Sequence, residues 1–201
     1  MLTNRYIELG KYKPMKCSVY IATSTDGYIA TPDGGVDWLH TSGKADADMS
    51  ENPDMGFTEF INSVDCMIMG RKCMEVIASF DIPAEQWPYR NIKIYALSNT
   101  LTEPPANLAG KVEMVSGDII TLVNQLFENG YKHAYIDGGA TITSFINLKL
   151  INEMTITKAP VILGDGIPLF GKLNHPVKLE RAESISFPND FIQLKYRVNY
   201  R

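Results

Sequence analysis

The chain has 201 residues, 45% of them hydrophobic, and 23 acidic against 19 basic side chains, for a formal net charge of −4. That composition can bury one sizeable core, and scattered cations in a net-acidic chain argue against a nucleic-acid surface. No stretch is apolar for the ~20 residues of a membrane helix, and the N-terminal "MLTNRYIELGKYKPMK" lacks the apolar centre of a signal peptide. The expectation is one domain over residues 1–201, with 1–15 as an N-terminal extension, in the cytoplasm. Cys17, Cys66 and Cys73 are odd in number and sit in strand-like or helix-like segments, which favours reduced thiols over a disulfide frame. His40, His133 and His175 are far apart and lack a second ligand at metal spacing, so no metal site is expected.

In chain order, "KCSVYIA" (Lys16 to Ala22) alternates as a strand, and "TSTDGYIA" turns and extends again. A polar segment runs from Thr31 to about Asp54. "GFTEFINSV" sets Phe57, Phe60, Ile61 and Val64 at helical spacing. "DCMIMG" is a short apolar run ending in glycine, hence a buried strand, and "RKCMEVIASF" continues as a helix. "IKIYALS" and "KVEMVS" are strands. "GDIITLVNQLFENG" predicts a helix with Ile119, Ile120, Val123, Leu126 and Phe127 on one face, started by Ser116 or Asp118 and ended by Gly130. "HAYID" is a strand, "ATITSFINL" a helix and "EMTITKAPVI" a strand. The tail "VKLERAESISFPNDFIQLKYRVNY" predicts two strands joined through Pro188, Asn189 and Asp190. Alternating strands and helices predict an α/β fold with a mostly parallel sheet flanked by helices, and the tail adds an antiparallel hairpin.

Ligands of such sheets collect at the carboxyl ends of the strands. Three of those ends carry anion-friendly residues: Gly70 with Arg71 and Lys72, Ser98 with Asn99 after Leu97, and Gly138 with Gly139. Each has a plain alternative. Arg71 and Lys72 suit a phosphate clamp or a solvent-facing first turn, and the glycine pair suits a phosphate cradle or a tight turn. Taken together along one edge, the three suit a nucleotide with several phosphates. The acidic run "DADMSENPD" fails the EF-hand pattern, with Glu51 in place of the required glycine and Phe57 in place of the final glutamate. The G-x-G-x-x-G, P-loop and G-x-S-x-G motifs are absent.

The order of motifs resembles the dihydrofolate-reductase-like superfamily, and most closely its riboflavin-biosynthesis reductase branch. The marks run from Lys16 through nearly the whole chain: "STDGYIA", "DCMIMGRK", "ALSNT", "YIDGGATI" and "PVILGDGIPLFG". The resemblance implies NADPH as cofactor, with Ala22, Thr23 and Ile29 along the nicotinamide. It implies Arg71, Lys72 and Ser98 at the adenosine 2′-phosphate and Gly138, Gly139, Ala140, Thr141 and Ile142 over the pyrophosphate. Gly70, Cys73, Leu97 and Asn99 complete the implied cofactor set. Folate reductases usually carry threonine at Cys73, a third glycine at Ala140 and an apolar residue at Asp137. The acid-Gly-Gly sequence and "LGDGIPLF" are typical of the riboflavin-type branch. Asp54 falls in register with the single carboxylate of folate reductases and also suits a helix N-cap. The candidate catalytic residues are therefore Asp137 and Asp54. The implied activity is hydride transfer from NADPH to a pyrimidine- or pterin-like small molecule, in the type case 5-amino-6-(5-phosphoribosylamino)uracil. A homodimer is implied as well, as riboflavin-type relatives are commonly dimers. Dihydrofolate reduction and a non-catalytic nucleotide-binding protein are the alternatives.

Overall fold

The first strand, β1 (Lys16–Thr23), lies inside the sheet rather than at its edge, between β6 (His133–Asp137) and β7 (Glu153–Lys158) and parallel to both. The computed structural model describes residues 15–89 and 92–201, so the expected N-terminal extension lies outside the described residues except for Met15. The remaining strands are the short β2 (Tyr28–Ala30), β3 (Cys66–Gly70), β4 (Lys93–Leu97), β5 (Val112–Val115), β8 (Ile167–Pro168), β9 (Lys178–Ser186) and β10 (Ile192–Asn199). Eight of the ten form one sheet in the order β5-β4-β3-β6-β1-β7-β10-β9. The pairs from β5 to β7 are parallel, and β10 runs antiparallel to both β7 and β9. This is the expected architecture with its terminal hairpin. The turn between β9 and β10 closes as expected, with Asp190 at φ 69° and its N–H donating to the carbonyl of Phe187. Two features were not legible beforehand: β8 pairs with β2 as a separate two-stranded ribbon, and a one-turn helix, α1 (Trp38–Thr41), interrupts the polar segment.

Helices cover both faces, which explains why β3 reads as an unbroken apolar run: all of Cys66 to Met69 is buried. On one face α4 (Ile119–Glu128) and α5 (Gly139–Asn147) pack Leu122, Leu126, Phe145 and Ile146 over Val19, Ile68 and Ile136. On the other, α2 (Phe57–Asn62) and α3 (Arg71–Ser79) pack Ile61, Met74 and Ile77 over Met67, Met69 and Tyr135. Asp118 caps α4, its carboxylate accepting the Thr121 N–H at 2.8 Å. The expected face of α4 is corrected at one position. Ile120 is exposed and Leu122 is buried, because at 3.6 residues per turn Ile120 stands about 100° round the helix from Ile119.

The connection through α3 carries the chain from β3 outward to β4, whereas the one through α5 carries it from β6 the other way, past β1 to β7. Since β3 and β6 are neighbours, their two connections leave in opposite directions and open a crevice at their carboxyl ends. Among the described residues, no helix is long and apolar enough to cross a membrane.

Candidate active site

Two helix starts converge on that crevice. Helix α3 begins directly after β3, and α5 begins one residue after β6. They meet closely: a β-carbon on Gly70 would lie 2.9 Å from the Thr141 hydroxyl. In α5 the Ile142 N–H donates to the Gly138 carbonyl at 2.8 Å, so the amides of Gly139, Ala140 and Thr141 precede the helical ladder and can meet an anion. Helix α3 has no acid in its first turn and opens with Arg71 and Lys72. Its start therefore keeps the positive end of the helix dipole and two cations.

The glycine pair has a second reason to be glycine. Gly138 has φ 88°, and a side chain there would collide with the Cys73 Sγ. Gly139 faces main chain: its β-carbon would sit 2.7 Å from the Pro168 carbonyl and 3.0 Å from that of Leu169. Packing alone thus requires both glycines. The same approach brings Ile29 of β2 to the site, its Cδ1 lying 3.3 Å from that β-carbon position.

Beside the crevice lies a carboxyl cluster on the α2/α3 face. Asp137 ends β6, across from Met69 in β3. The Tyr135 hydroxyl lies 3.3 Å from Asp137 Oδ1 and donates to the Tyr20 carbonyl at 2.9 Å. Burial raises the Asp137 carboxyl to about 6, although the Gly138 amide, the Tyr135 hydroxyl and the Cys73 thiol act to lower it. In turn, burial and the Asp137 charge push the Cys73 thiol up to about 12 and hold Tyr89 and Tyr135 protonated. The cluster thus sets one carboxyl of raised pKa among tyrosines that stay protonated.

Asp54 is placed differently. It is exposed, and its two carboxylate oxygens accept the Gly56 N–H at 3.0 Å and the Thr58 N–H at 2.8 Å. Those bonds brace the turn into α2, whose N-cap is Gly56 rather than the expected Asp54, and the bonds from Thr58 lead in holding Asp54 below the usual carboxylate range. Tyr20 connects the two acids. Its hydroxyl donates to the Met55 carbonyl at 2.6 Å, next to Asp54, while its own carbonyl receives Tyr135.

Of the other candidates, Ala22 and Thr23 lie at the carboxyl end of β1. Thr23 is fully buried, and its hydroxyl has no hydrogen-bond partner among the described residues. Leu97 ends β4 across from Gly70. The Ser98 hydroxyl oxygen accepts the Thr100 and Leu101 amides, which closes the turn after β4, and lies 3.4 Å from the Thr100 hydroxyl. Asn99 and Ala140 are exposed. The orphaned Thr23 hydroxyl, the open amides of α5 and the cationic start of α3 fit a dinucleotide with an amide-bearing ring at one end and phosphates at the other. Tyr20, Tyr89 and Tyr135 were not singled out from sequence. The alternation in "HAYID" places Tyr135 on the face of Asp137, so that one was findable. Tyr89 comes from an irregular loop, where no periodicity reports it.

The sequence matches the family model of the RibD C-terminal domain over residues 16–193. It is 31% identical over 188 residues to the uncharacterised protein YyaP of Bacillus subtilis (strain 168), a match covering 89% of this chain and 93% of YyaP. A crystal structure of a candidate riboflavin-biosynthesis protein from Shewanella sp. PV-4 is 38% identical and superposes with a TM-score of 0.82, covering 92% of this chain and 99% of that one. Dihydrofolate reductase from Enterococcus faecalis, solved with NADP(H), superposes with a TM-score of 0.59 at 12% identity, over 92% and 96% of the two chains. Fold and crevice together define a dihydrofolate-reductase-like α/β protein. Within that class, the chain belongs to the RibD C-terminal domain family.

Proposed function

We propose that the protein is an NADPH-dependent reductase of a pyrimidine-like small molecule, of the 5-amino-6-(5-phosphoribosylamino)uracil reductase type. The observation that carries this reading is the placement of Asp137, which ends β6 with its Oδ1 3.3 Å from the Tyr135 hydroxyl, beside the crevice where the α3 and α5 starts meet. Membership of the RibD C-terminal domain family supports the same reaction class.

When bound, NADPH supplies a hydride from its nicotinamide. Thr23 offers its orphaned hydroxyl to the carboxamide end, beside Ala22 and Ile29. The amides of Gly139, Ala140 and Thr141 hold the pyrophosphate, and Arg71, Lys72 and Ser98 hold the 2′-phosphate. Asp137 keeps a proton on the sheet side of the crevice. It donates that proton to the nitrogen or oxygen beside the acceptor carbon, so that the substrate gains a hydride at carbon and a proton at the heteroatom. Tyr135 and Cys73 hold the carboxyl in place. Asp54 braces the turn into α2 through the Gly56 and Thr58 amides. The assembly is a homodimer, a reading supported by Leu179, Ile185 and Ile192 standing exposed on the terminal hairpin.

The test is NADPH oxidation with the aminouracil phosphoribosyl substrate and with dihydrofolate, beside a direct NADPH titration. Turnover of the aminouracil compound, lowered ~10²-fold or more by Asp137→Asn with NADPH affinity kept, supports the reading. Turnover of dihydrofolate, with Asp54→Asn the crippling change, replaces it by folate reduction. Tight NADPH binding without turnover of either compound makes the protein a nucleotide-binding one without catalysis.

A further inference from the structure

The two cations at the start of α3 are not free. The Arg71 guanidinium donates to Glu75 Oε1 at 2.9 Å, and the Lys72 ammonium lies 3.7 Å from Oε2 of the same carboxylate. Both cations close on one acid, each on a different oxygen, so the group carries a net charge of +1 rather than +2. Arg71 and Glu75 are each little more than a third exposed, whereas Lys72 is 84% exposed and only loosely held. A phosphate arriving at Arg71 therefore shares the guanidinium with Glu75 and stands close to its negative charge.

We infer that Glu75 is a specificity-determining residue of the cofactor site, which holds Arg71 in competition with the 2′-phosphate and thereby narrows the preference for NADPH over NADH. The inference rests on the cofactor reading given above. The i, i+4 spacing keeps Glu75 within reach of Arg71 in every state in which α3 is folded, so the competition is permanent. Its size follows from half-exposed ion pairs, which contribute ~0.2–1 kcal/mol, equivalent to about a 1.5- to 5-fold change in affinity. The effect acts on the phosphorylated cofactor alone. NADH brings no group to Arg71 and is indifferent to what the guanidinium holds.

The test titrates NADPH and NADH against the wild type and Glu75→Gln at low and high salt, following nicotinamide fluorescence. Glu75→Gln preserves the shape of the side chain and removes only the charge. The variant should bind NADPH about 1.5- to 5-fold more tightly, with NADH affinity unchanged, and the gain should shrink at high salt as surface charges are screened. Arg71→Ala in the Glu75→Gln background should erase the gain. Equal affinity ratios in wild type and variant, both binding NADPH, would overturn the role of Glu75 and leave the cofactor reading standing. A wild type that binds neither nucleotide overturns that reading and this inference with it.

Discussion

Tyr135 and Asp137 share one proton position. The tyrosine hydroxyl has a single hydrogen and a 2.9 Å acceptor in the Tyr20 carbonyl, while Asp137 Oδ1 stands farther off, at 3.3 Å. With the tyrosine proton on Tyr20, a protonated Asp137 can donate to the tyrosine oxygen, and an ionised one must compete for the tyrosine proton. The tyrosine therefore supports the carboxylate only weakly, and burial outweighs it.

A pH dependence follows. The Asp137 carboxyl titrates near 3.8 unfolded and at about 6 folded, so the folded state binds the extra proton between those values. Its contribution to stability is complete below the unfolded value and is lost as pH rises through about 6. Asp137→Asn removes this penalty. Relative to wild type, the variant should gain stability between pH 4 and pH 8, by up to about 3 kcal/mol. Urea unfolding across that range reads it, and parallel curves for the two proteins would show that the carboxyl is not buried in this way. If Asp137 is also the proton donor, wild-type kcat/KM falls above pH 6, and Tyr135→Phe moves that limb upward by removing a bond that favours the charge.

Asp54 tests the division of labour between the two acids. Its carboxylate bonds the amides of Gly56 and Thr58, so Asp54→Ala should cost about 1 kcal/mol through loss of these bonds, while Asp54→Asn should cost less. Neither change should lower kcat by more than about twofold. A large loss of turnover in Asp54→Asn at unchanged melting temperature would restore this residue as a candidate catalytic group.

The start of α5 separates fold from binding. Gly139→Val drives a side chain into the carbonyls of Pro168 and Leu169, so this variant should be strongly destabilised, and lost cofactor binding there would say nothing about phosphate. Ala140 is exposed on the same turn. Ala140→Asp should leave the fold intact, with an acid that suits a helix start, yet weaken NADPH by tenfold or more through repulsion of the pyrophosphate. Calorimetric titration and thermal melting of both variants check the pair. Unchanged affinity in Ala140→Asp places the phosphates elsewhere.

His133 governs a second pH window at the opposite end of the sheet. Its Nδ1 lies 2.7 Å from the Ser63 carbonyl and its Nε2 2.7 Å from the Ser18 hydroxyl, so the neutral ring donates to Ser63 and accepts from Ser18. Burial lowers the pKa of the imidazole. The unfolded chain then takes up a proton more readily than the folded one, and this part of the stability, present above about 6.5, is lost as pH falls through the depressed folded value. His133→Gln should flatten the pH dependence of unfolding just below about pH 6.5. A slope retained in the variant would assign the titration to another group.

Much of this molecule is a direct consequence of local sequence. Alternation in "KCSVYIA", the unbroken apolar run of "DCMIMG" and the cap at Asp118 each depend on neighbours within a few residues, where periodicity and side-chain-to-backbone bonding act. The glycines and polar residues at the strand ends were legible for the same reason, whereas the Arg71–Glu75 bridge was not read although it lies at i, i+4. What tertiary structure decided lies between segments far apart in the chain. The order β3-β6-β1 brings Asp137 beside Met69 and makes the crevice. The pairing of β2 with β8 presses Pro168 and Leu169 onto Gly139, and burial at the end of β6 lifts the Asp137 carboxyl above the ordinary carboxylate range. Desolvation is a property of everything that surrounds a group, and no window of local sequence contains it.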